Sequence, residues 1–274
     1  MNQVSSELYG EFDYETDLKP SVNLHNVVSK FPFVYPLLAP QVDPDGDLIV
    51  TRKLYNNVIE IEHRKSTTIP LVGLQVWRGA LLLADWLLYT GETLPKSSKI
   101  LELGSGTGLT SIIASIFAPV ICTDVDKGDI LKLLKANVQR NKSTSKNSIL
   151  VTEFDFAMHH SKDTTNADIG RVLDDIKIIL AADVIYDDNL TEDFVKTLEF
   201  FQLHSKVESI YVALEKRYVF TIADCDVCAP CYEFFLQCLQ KVKDASFEVL
   251  PLDFPQYFQY DRVKELTLLK ITFR

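Results

Sequence analysis

The sequence predicts an α/β fold, a doubly wound sheet of mostly parallel strands. Within residues 99–124 an apolar run leads into glycines at alternating positions, Gly104, Gly106 and Gly108, and a helical stretch and a second apolar run follow. This order is typical of a strand, a tight turn, a crossover helix and a parallel strand. Apolar runs and amphipathic stretches also alternate along most of the chain, which favours helices on both faces of one sheet.

The first 70 residues predict an extension that packs on a main domain of residues 71–274. Residues 1 to about 30 are polar and predict irregular chain that is poorly ordered unless it docks on the domain. The proline-broken segment 31–40 predicts an extended stretch covering a surface. Alternating apolar and polar residues near 48–63, interrupted by a short polar turn, predict a β-hairpin.

The main domain reads as alternating strands and helices. The predicted helices are 75–88, 109–117, 127–140, 191–203 (capped by Asp188 or Asn189) and 230–242, and the predicted strands are the central strand with its turn at 99–108, then 120–124, 149–154, 176–182, 209–214, 246–250 and 266–273. The last two strands are close enough in sequence for one of them to run antiparallel.

Charge and hydropathy narrow the classes of partner. The chain has 28 basic and 38 acidic residues, a net charge of -10. Nucleic-acid-binding proteins usually carry a basic footprint, so we expect no direct nucleic-acid partner and a basic protein partner instead. No apolar run is long enough to span a bilayer, and the acidic N-terminus does not resemble a signal peptide. We therefore expect an intracellular protein with no membrane partner.

The glycine turn predicts a site for an adenosine-type cofactor. Both parallel strands end at the same sheet edge, where ligands of open α/β sheets bind, and Asp124 ends the second of them. Its carboxylate can accept hydrogen bonds from a ribose diol. Glu102, two residues before the first glycine, would repel a pyrophosphate but attract a cationic group. These features favour S-adenosylmethionine over a dinucleotide, although a glycine turn also occurs in α/β domains that bind no cofactor.

Several motifs taken together resemble a known family. Trp77, the Glu102-Leu-Gly-x-Gly-x-Gly turn and Asp183-x-x-Tyr186 are similar to the class I, or seven-strand, methyltransferases and, more narrowly, to the family 16 protein-lysine methyltransferases. The resemblance covers residues 43–274. It implies a seven-strand Rossmann-like sheet and a monomeric, S-adenosylmethionine-dependent protein-lysine N-methyltransferase that acts on a non-histone protein in the nucleus or the cytoplasm.

The same resemblance implies roles for individual residues. Asp183 would stand where the target amine enters, and Tyr186 would narrow that entrance, so these two are the candidate catalytic residues. Phe156 would lie near the adenine, at a position where the family usually has tryptophan. The full set of candidate cofactor-binding residues is Trp77, Glu102, Gly104, Ser105, Gly106, Asp124, Asp155, Phe156 and Ala182.

Two other groups of residues are weaker candidates for chemistry. Cys225, Cys228 and Cys231 have the spacing of metal ligands, but Cys238 follows too late for the usual cluster patterns, so we expect reduced thiols and no metal. The adjacent histidines at 159–160 make neither a metal site nor a catalytic triad by themselves.

Three alternative functions stay open at this point. A nucleic-acid adenine methyltransferase would normally carry an Asn/Asp-Pro-Pro-Tyr-type segment after the fourth strand, and 182–186 contains no proline. A small-molecule methyltransferase cannot be separated from a protein methyltransferase by local motifs. A non-catalytic module that only binds S-adenosylmethionine is the third alternative, and the intact turn with Glu102 and Asp124 argues against it.

Overall fold

The computed structural model describes residues 3–14, 16–36, 45, 56–95, 98–158, 167–221 and 226–274. The strands are β1 (Gln3–Val4), β2 (Val27–Phe33), β3 (Asn57–His63), β4 (Thr67–Thr68), β5 (Lys99–Leu103), β6 (Val120–Asp124), β7 (Ile149–Glu153), β8 (Ile176–Ala182), β9 (Ser209–Glu215), β10 (Val219–Thr221), β11 (Asp226–Cys228), β12 (Ala245–Leu250) and β13 (Leu266–Phe273). The α-helices are α1 (Arg78–Thr90), α2 (Leu109–Ala114), α3 (Ile130–Arg140), α4 (Ala167–Gly170), α5 (Asp188–His204) and α6 (Pro230–Leu239).

A seven-stranded sheet forms the centre of the fold. Its strand order is β12-β13-β9-β8-β5-β6-β7, and β13 runs antiparallel to both of its neighbours while the other pairs are parallel. The predicted α/β class, the seven strands and the antiparallel strand near the C-terminus are therefore confirmed. The order reverses direction around β5, because the chain moves outward to β6 and β7 and then returns to β8 on the other side.

Helices cover both faces of this sheet. Successive side chains of a strand point to opposite faces, and in β5 Ile100 joins the core under α1 and α2 while Leu101 joins the core under α5 and α6. Both side chains are fully buried. A sheet that is apolar on both faces must be covered on both, and this explains why the runs in its parallel strands are continuously apolar rather than alternating.

All five predicted helices are present, but several of their bounds differ from the prediction. Helices α1 and α3 begin three residues later, α5 begins three residues earlier, and α2 and α6 end three residues earlier, while α4 lies where no helix was predicted. Helix α5 begins at Asp188, and its cap is Asp187, whose carboxylate accepts the Leu190 N–H at 3.0 Å, so the predicted caps Asp188 and Asn189 are wrong by one or two residues. The strands β10 and β11 form an antiparallel pair that the sequence analysis did not predict.

The N-terminal extension differs most from its prediction. Residues 27–33 form β2, which pairs antiparallel with β3 along its whole length, so the expectation of irregular chain up to about residue 30 is wrong there. The second arm of the predicted hairpin exists as β3, whereas its first arm, 48–54, lies outside the described residues. Buried Phe31 and Phe33 connect this strand pair to the core under α1. Pairing with a distant strand overrides local polarity here.

The histidines at 159–160 lie outside the described residues. None of the helices in the described part of the chain is long and apolar enough to cross a bilayer.

Candidate functional site

The carboxyl ends of β5, β6 and β8 meet at one sheet edge, because β5 pairs in parallel with both of the others. A cavity opens at this edge, where the strand order reverses, which is the usual position of ligands in open α/β sheets. All of the candidate residues predicted from the sequence border it: Trp77, Glu102, Gly104, Ser105, Gly106, Asp124, Asp155, Phe156, Ala182, Asp183 and Tyr186. The structure thus brings the whole set together, and the roles of its members as ligands stay predictions.

The glycine turn follows β5 and packs against a segment that the sequence analysis overlooked. Gly106 has φ 53°, a left-handed conformation that disfavours a side chain. A Cβ atom there would lie 2.8 Å from the carbonyl oxygen of Gly73, in the 3-10 helix that precedes α1. Gly73 also borders the cavity. Its isolated position in an apolar stretch just before Trp77 was the only local signal for this contact.

Asp124, at the end of β6, holds the glycine turn in place. One carboxylate oxygen accepts the Gly106 N–H at 2.7 Å, and the other accepts the Val125 N–H at 2.8 Å. Burial raises the pKa of Asp124 to about 6, although both N–H donors oppose that shift. A carboxylate has lone pairs beyond the two used here, so it can still accept hydrogen bonds from a ligand.

Glu102 lies deeper than the sequence analysis assumed. Its side chain is 1% exposed, and its carboxylate accepts a hydrogen bond from the Ser111 hydroxyl on α2. Burial raises its pKa to about 7, and the charge of Asp124 adds to the increase. The carboxyl group therefore connects β5 to α2 beneath the turn, and it acts on the cavity through its charge.

Aromatic side chains form two walls of the cavity. Trp77 precedes α1, and its indole N–H donates to the Val72 carbonyl oxygen at 3.0 Å, which fixes the ring. Phe156 follows β7, is 6% exposed, and has its ring centroid 5.4 Å from that of Phe194 on α5. Asp155, next to Phe156 in sequence, accepts the Ala157 N–H at 2.9 Å with its carboxylate, and this bond shapes the turn after β7.

Asp183 follows β8 and binds two backbone donors from other elements. Its carboxylate accepts the Gly79 N–H in the first turn of α1 at 2.7 Å and the Glu215 N–H at the end of β9 at 3.0 Å. A Cβ atom on Gly79 would lie 2.5 Å from that carboxylate, so this glycine, which the sequence analysis did not single out, is required by the contact. Burial raises the pKa of Asp183 to about 6, and the nearby Arg217 opposes the increase.

Tyr186 stands at the open side of the cavity. Its side chain is 38% exposed, and it also borders a second, outer cavity. Partial burial raises the pKa of its hydroxyl to about 12, with the charges of Asp124 and Asp187 contributing. The hydroxyl is therefore protonated at neutral pH and can donate a hydrogen bond but cannot act as a base.

The cysteines do not converge in the described part of the chain. Cys228 ends β11, Cys231 lies half-buried in α6, Cys238 is buried in the same helix, and Cys225 lies outside the described residues. No group of three or more His, Cys, Asp or Glu side chains among the described residues could hold a metal ion. That the protein has no metal stays a prediction.

Comparison with known proteins places the chain in a family. The model of the lysine methyltransferase family matches residues 54–224. Methyltransferase-like protein 22 is 37% identical in Mus musculus, over 79% of this chain and 59% of the relative, and 35% identical in Homo sapiens, over 87% and 63%. The Protein N-lysine methyltransferase METTL21A of Xenopus tropicalis is 32% identical over 61% of this chain and 70% of the relative.

The match covers only part of the length of these relatives. The chain spans about 59% and 63% of the two methyltransferase-like protein 22 sequences. The family model, in contrast, covers the glycine turn, Asp124, Asp183 and Tyr186, and so includes most of the cavity. The resemblance first noted in the motifs therefore extends over most of the domain, and this chain belongs to the lysine methyltransferase family.

Proposed function

We propose that this chain is an S-adenosylmethionine-dependent protein-lysine N-methyltransferase. The observation that carries the proposal is the charge of the cavity. Glu102, Asp124, Asp155 and Asp183 border it, whereas none of the described residues lining it is lysine, arginine or histidine. Such a lining favours a cationic ligand without phosphate groups. S-adenosylmethionine has an ammonium and a sulfonium charge and no phosphate, so it matches this requirement and the family.

The residues present fit this cofactor. Gly104 and Gly106 leave bare backbone at the cavity floor, and Asp124 keeps spare lone pairs that suit a ribose diol. Trp77 and Phe156 provide apolar faces for a flat adenine ring. When bound, the cofactor supplies an electrophilic methyl group on a sulfonium, and the protein's contribution is alignment and exclusion of water.

Asp183 and Tyr186 are the candidates on the acceptor side. A lysine must lose its proton before it can accept a methyl group, and a dry apolar approach lowers its pKa from about 10.4. An ionised Asp183 opposes that change, so its supported role is to orient the amine and pass the proton towards water. Its two backbone hydrogen bonds fix the carboxylate for this purpose. Tyr186 narrows the entrance and would limit how many methyl groups fit.

Binding of the demethylated product, S-adenosylhomocysteine, tests the cofactor assignment. It should raise the melting temperature, because a ligand bound only by the folded state stabilises it, and NAD should not. Asp124→Ala should weaken binding by about 1–3 kcal/mol through its lost hydrogen bonds. Asp126→Ala is the matched control, because this exposed carboxylate is close in sequence but does not border the cavity. No thermal shift in the wild type would refute the assignment.

Transfer of tritium from labelled S-adenosylmethionine to cell extract tests the acceptor. The label should enter a protein, and replacing the labelled lysine by arginine should abolish it, because the guanidinium group stays protonated. Label only on RNA, DNA or a small molecule would reject the protein acceptor and leave the cofactor assignment standing.

We further propose that the acceptor is a basic, non-histone protein, that the enzyme is a monomer, and that it works in the nucleus or the cytoplasm. The net charge of -10 supports a basic partner. The free thiols of Cys122, Cys231 and Cys238 support a reducing compartment. Fractionation of cells followed by size-exclusion chromatography of the purified chain would test the location and the oligomeric state.

A further inference from the structure

An outer cavity adjoins the cavity described above. The two share Val72, Trp77, Asp183 and Tyr186, so a side chain that crosses the outer cavity arrives at the candidate acceptor residues. The far wall of the outer cavity is built by the N-terminal segment, residues 3–14, which contributes Val4, Ser5 and Glu7. Nothing in the sequence pattern of this polar segment indicated that it reaches the site.

Buried contacts hold the N-terminal segment in this position. Arg78, the first residue of α1, binds Glu11 of the segment and also Glu215 at the end of β9, the latter at 2.8 Å. The three side chains are 10%, 6% and 14% exposed. The Tyr9 hydroxyl accepts the Val76 N–H at 2.7 Å, and Leu8 is fully buried. The segment is therefore a fixed wall of the outer cavity.

Charges of both signs face the outer cavity. Glu7, Asp183 and Glu215 are its carboxylates, and Arg217 is the one cation among the described residues that line it. The Arg217 guanidinium lies 4.9 Å from the centroid of the Trp77 ring and forms an ion pair with Glu7 at 3.1 Å. Three carboxylates and one guanidinium leave two negative charges in excess when all are ionised. Without Glu7, Arg217 would lose its direct ion-pair partner, and the excess would fall to one negative charge.

We propose that the outer cavity admits the acceptor lysine and that Glu7 is a specificity-determining residue, because it neutralises Arg217 and keeps the mouth selective for a cation. This inference rests on the proposed function. Ile69 and Ile185 line the same cavity and suit the aliphatic stem of a lysine, which buries its methylene groups while its ammonium stays near polar partners. Without its ion pair to Glu7, the Arg217 guanidinium would repel that ammonium more strongly and would be free to pair with an anionic side chain.

The test uses Glu7→Gln, which removes the charge and preserves the shape. The probe is total extract protein, and the measured quantities are kcat and the half-saturating protein concentration in the tritium-transfer assay. We expect Glu7→Gln to raise the half-saturating concentration by about three- to tenfold with kcat and S-adenosylhomocysteine affinity nearly unchanged. The effect should shrink in about 0.5 M salt, because exposed charges are screened there.

Two further variants make the test specific. Adding Arg217→Gln to Glu7→Gln should restore the half-saturating concentration towards that of the wild type, because the repelling charge is gone. Lys216→Gln is the matched control, since this neighbouring cation lies over the Tyr232 ring at 4.5 Å and does not line the cavity. It should change nothing.

The outcomes separate this proposal from the one on which it rests. If the wild type labels protein and Glu7→Gln behaves like the wild type, the role of Glu7 is refuted and the proposed function stands. A fall in S-adenosylhomocysteine affinity equal to the change in half-saturation would show a structural effect and also refute it. If the wild type labels no protein, the proposed function fails, and the role proposed for the outer cavity fails with it.

Discussion

Replacing Asn137 by alanine should weaken both the fold and the cofactor site. Asn137 lies in α3 and is fully buried. Its amide oxygen accepts the Glu62 N–H at 2.8 Å, and its amide nitrogen donates to the carbonyl oxygens of Glu62 and Thr107, both at 2.9 Å. Glu62 belongs to β3 and Thr107 to the glycine turn. One side chain therefore connects the N-terminal strand pair to the floor of the cavity.

The size of the effect follows from the lost bonds. Asn137→Ala leaves one N–H and two carbonyl groups without their partner, and at about 1 kcal/mol for each hydrogen bond the free energy of unfolding should fall by about 3 kcal/mol. Release of the Thr107 carbonyl should also loosen the turn and weaken S-adenosylhomocysteine binding by about three- to thirtyfold, the range seen for residues that act on a site without touching the ligand.

Asn141→Ala is the matched control. Asn141 directly follows α3, one helical turn after Asn137. Its side chain accepts the Glu60 N–H at 2.9 Å and donates to the carbonyl oxygens of Glu60 at 2.7 Å and Asn137 at 2.9 Å. It thus also makes three hydrogen bonds, two of them to the same strand, but none to the glycine turn. Urea unfolding should show similar losses of stability in both variants, and calorimetric titration should show weaker binding in Asn137→Ala alone. Equal affinities in the two variants, or a stability loss below about 1 kcal/mol, would refute the reasoning.

Three further predictions follow from the carboxylates of the site. Gly79→Ala should lower the melting temperature and kcat/KM for the acceptor, because its Cβ would meet the Asp183 carboxylate at 2.5 Å. Gly10→Ala is the control and should change neither quantity, because no atom lies within 4 Å of the new Cβ. Equal melting curves for the two variants would contradict this prediction. Asp183→Asn should lower kcat/KM by about ten- to a thousandfold when rates are corrected for the folded fraction, while cofactor affinity changes far less. If the loss of rate disappears after this correction, Asp183 acts only as a cap of α1. The pKa of Asp124 is about 6 in the folded state and 3.8 ordinarily, so its ionisation removes stability as the pH rises through 6. When the pH is lowered from about 7.5 to 5, the free energy of unfolding of the wild type should therefore increase relative to that of Asp124→Asn. A difference between the two proteins that stays constant over this pH range in denaturant titrations would contradict the prediction.

Local sequence patterns predicted the central strand and the glycine turn that follows it. The continuous apolar run of β5 and the alternating glycines predicted a strand and a turn, because a parallel strand covered on both faces is apolar throughout and a left-handed turn favours glycine. Parallel strands end at the same edge of a sheet, so Asp124 could be assigned to a ligand site there before any coordinates were known, whereas the place of Asp183 in that site came from the family resemblance.

Only the tertiary structure decided which distant residues complete the site. Arg78 binds Glu215, which is 137 positions away, and the carboxylate of Asp183 reaches Gly79 across 104 positions. Periodicity predicts which face of an element is buried, but it does not specify which partner covers that face. The N-terminal segment shows this most clearly, because its polar composition predicted poor order, whereas a few long-range hydrogen bonds and the burial of Leu8 hold it as a wall of the outer cavity.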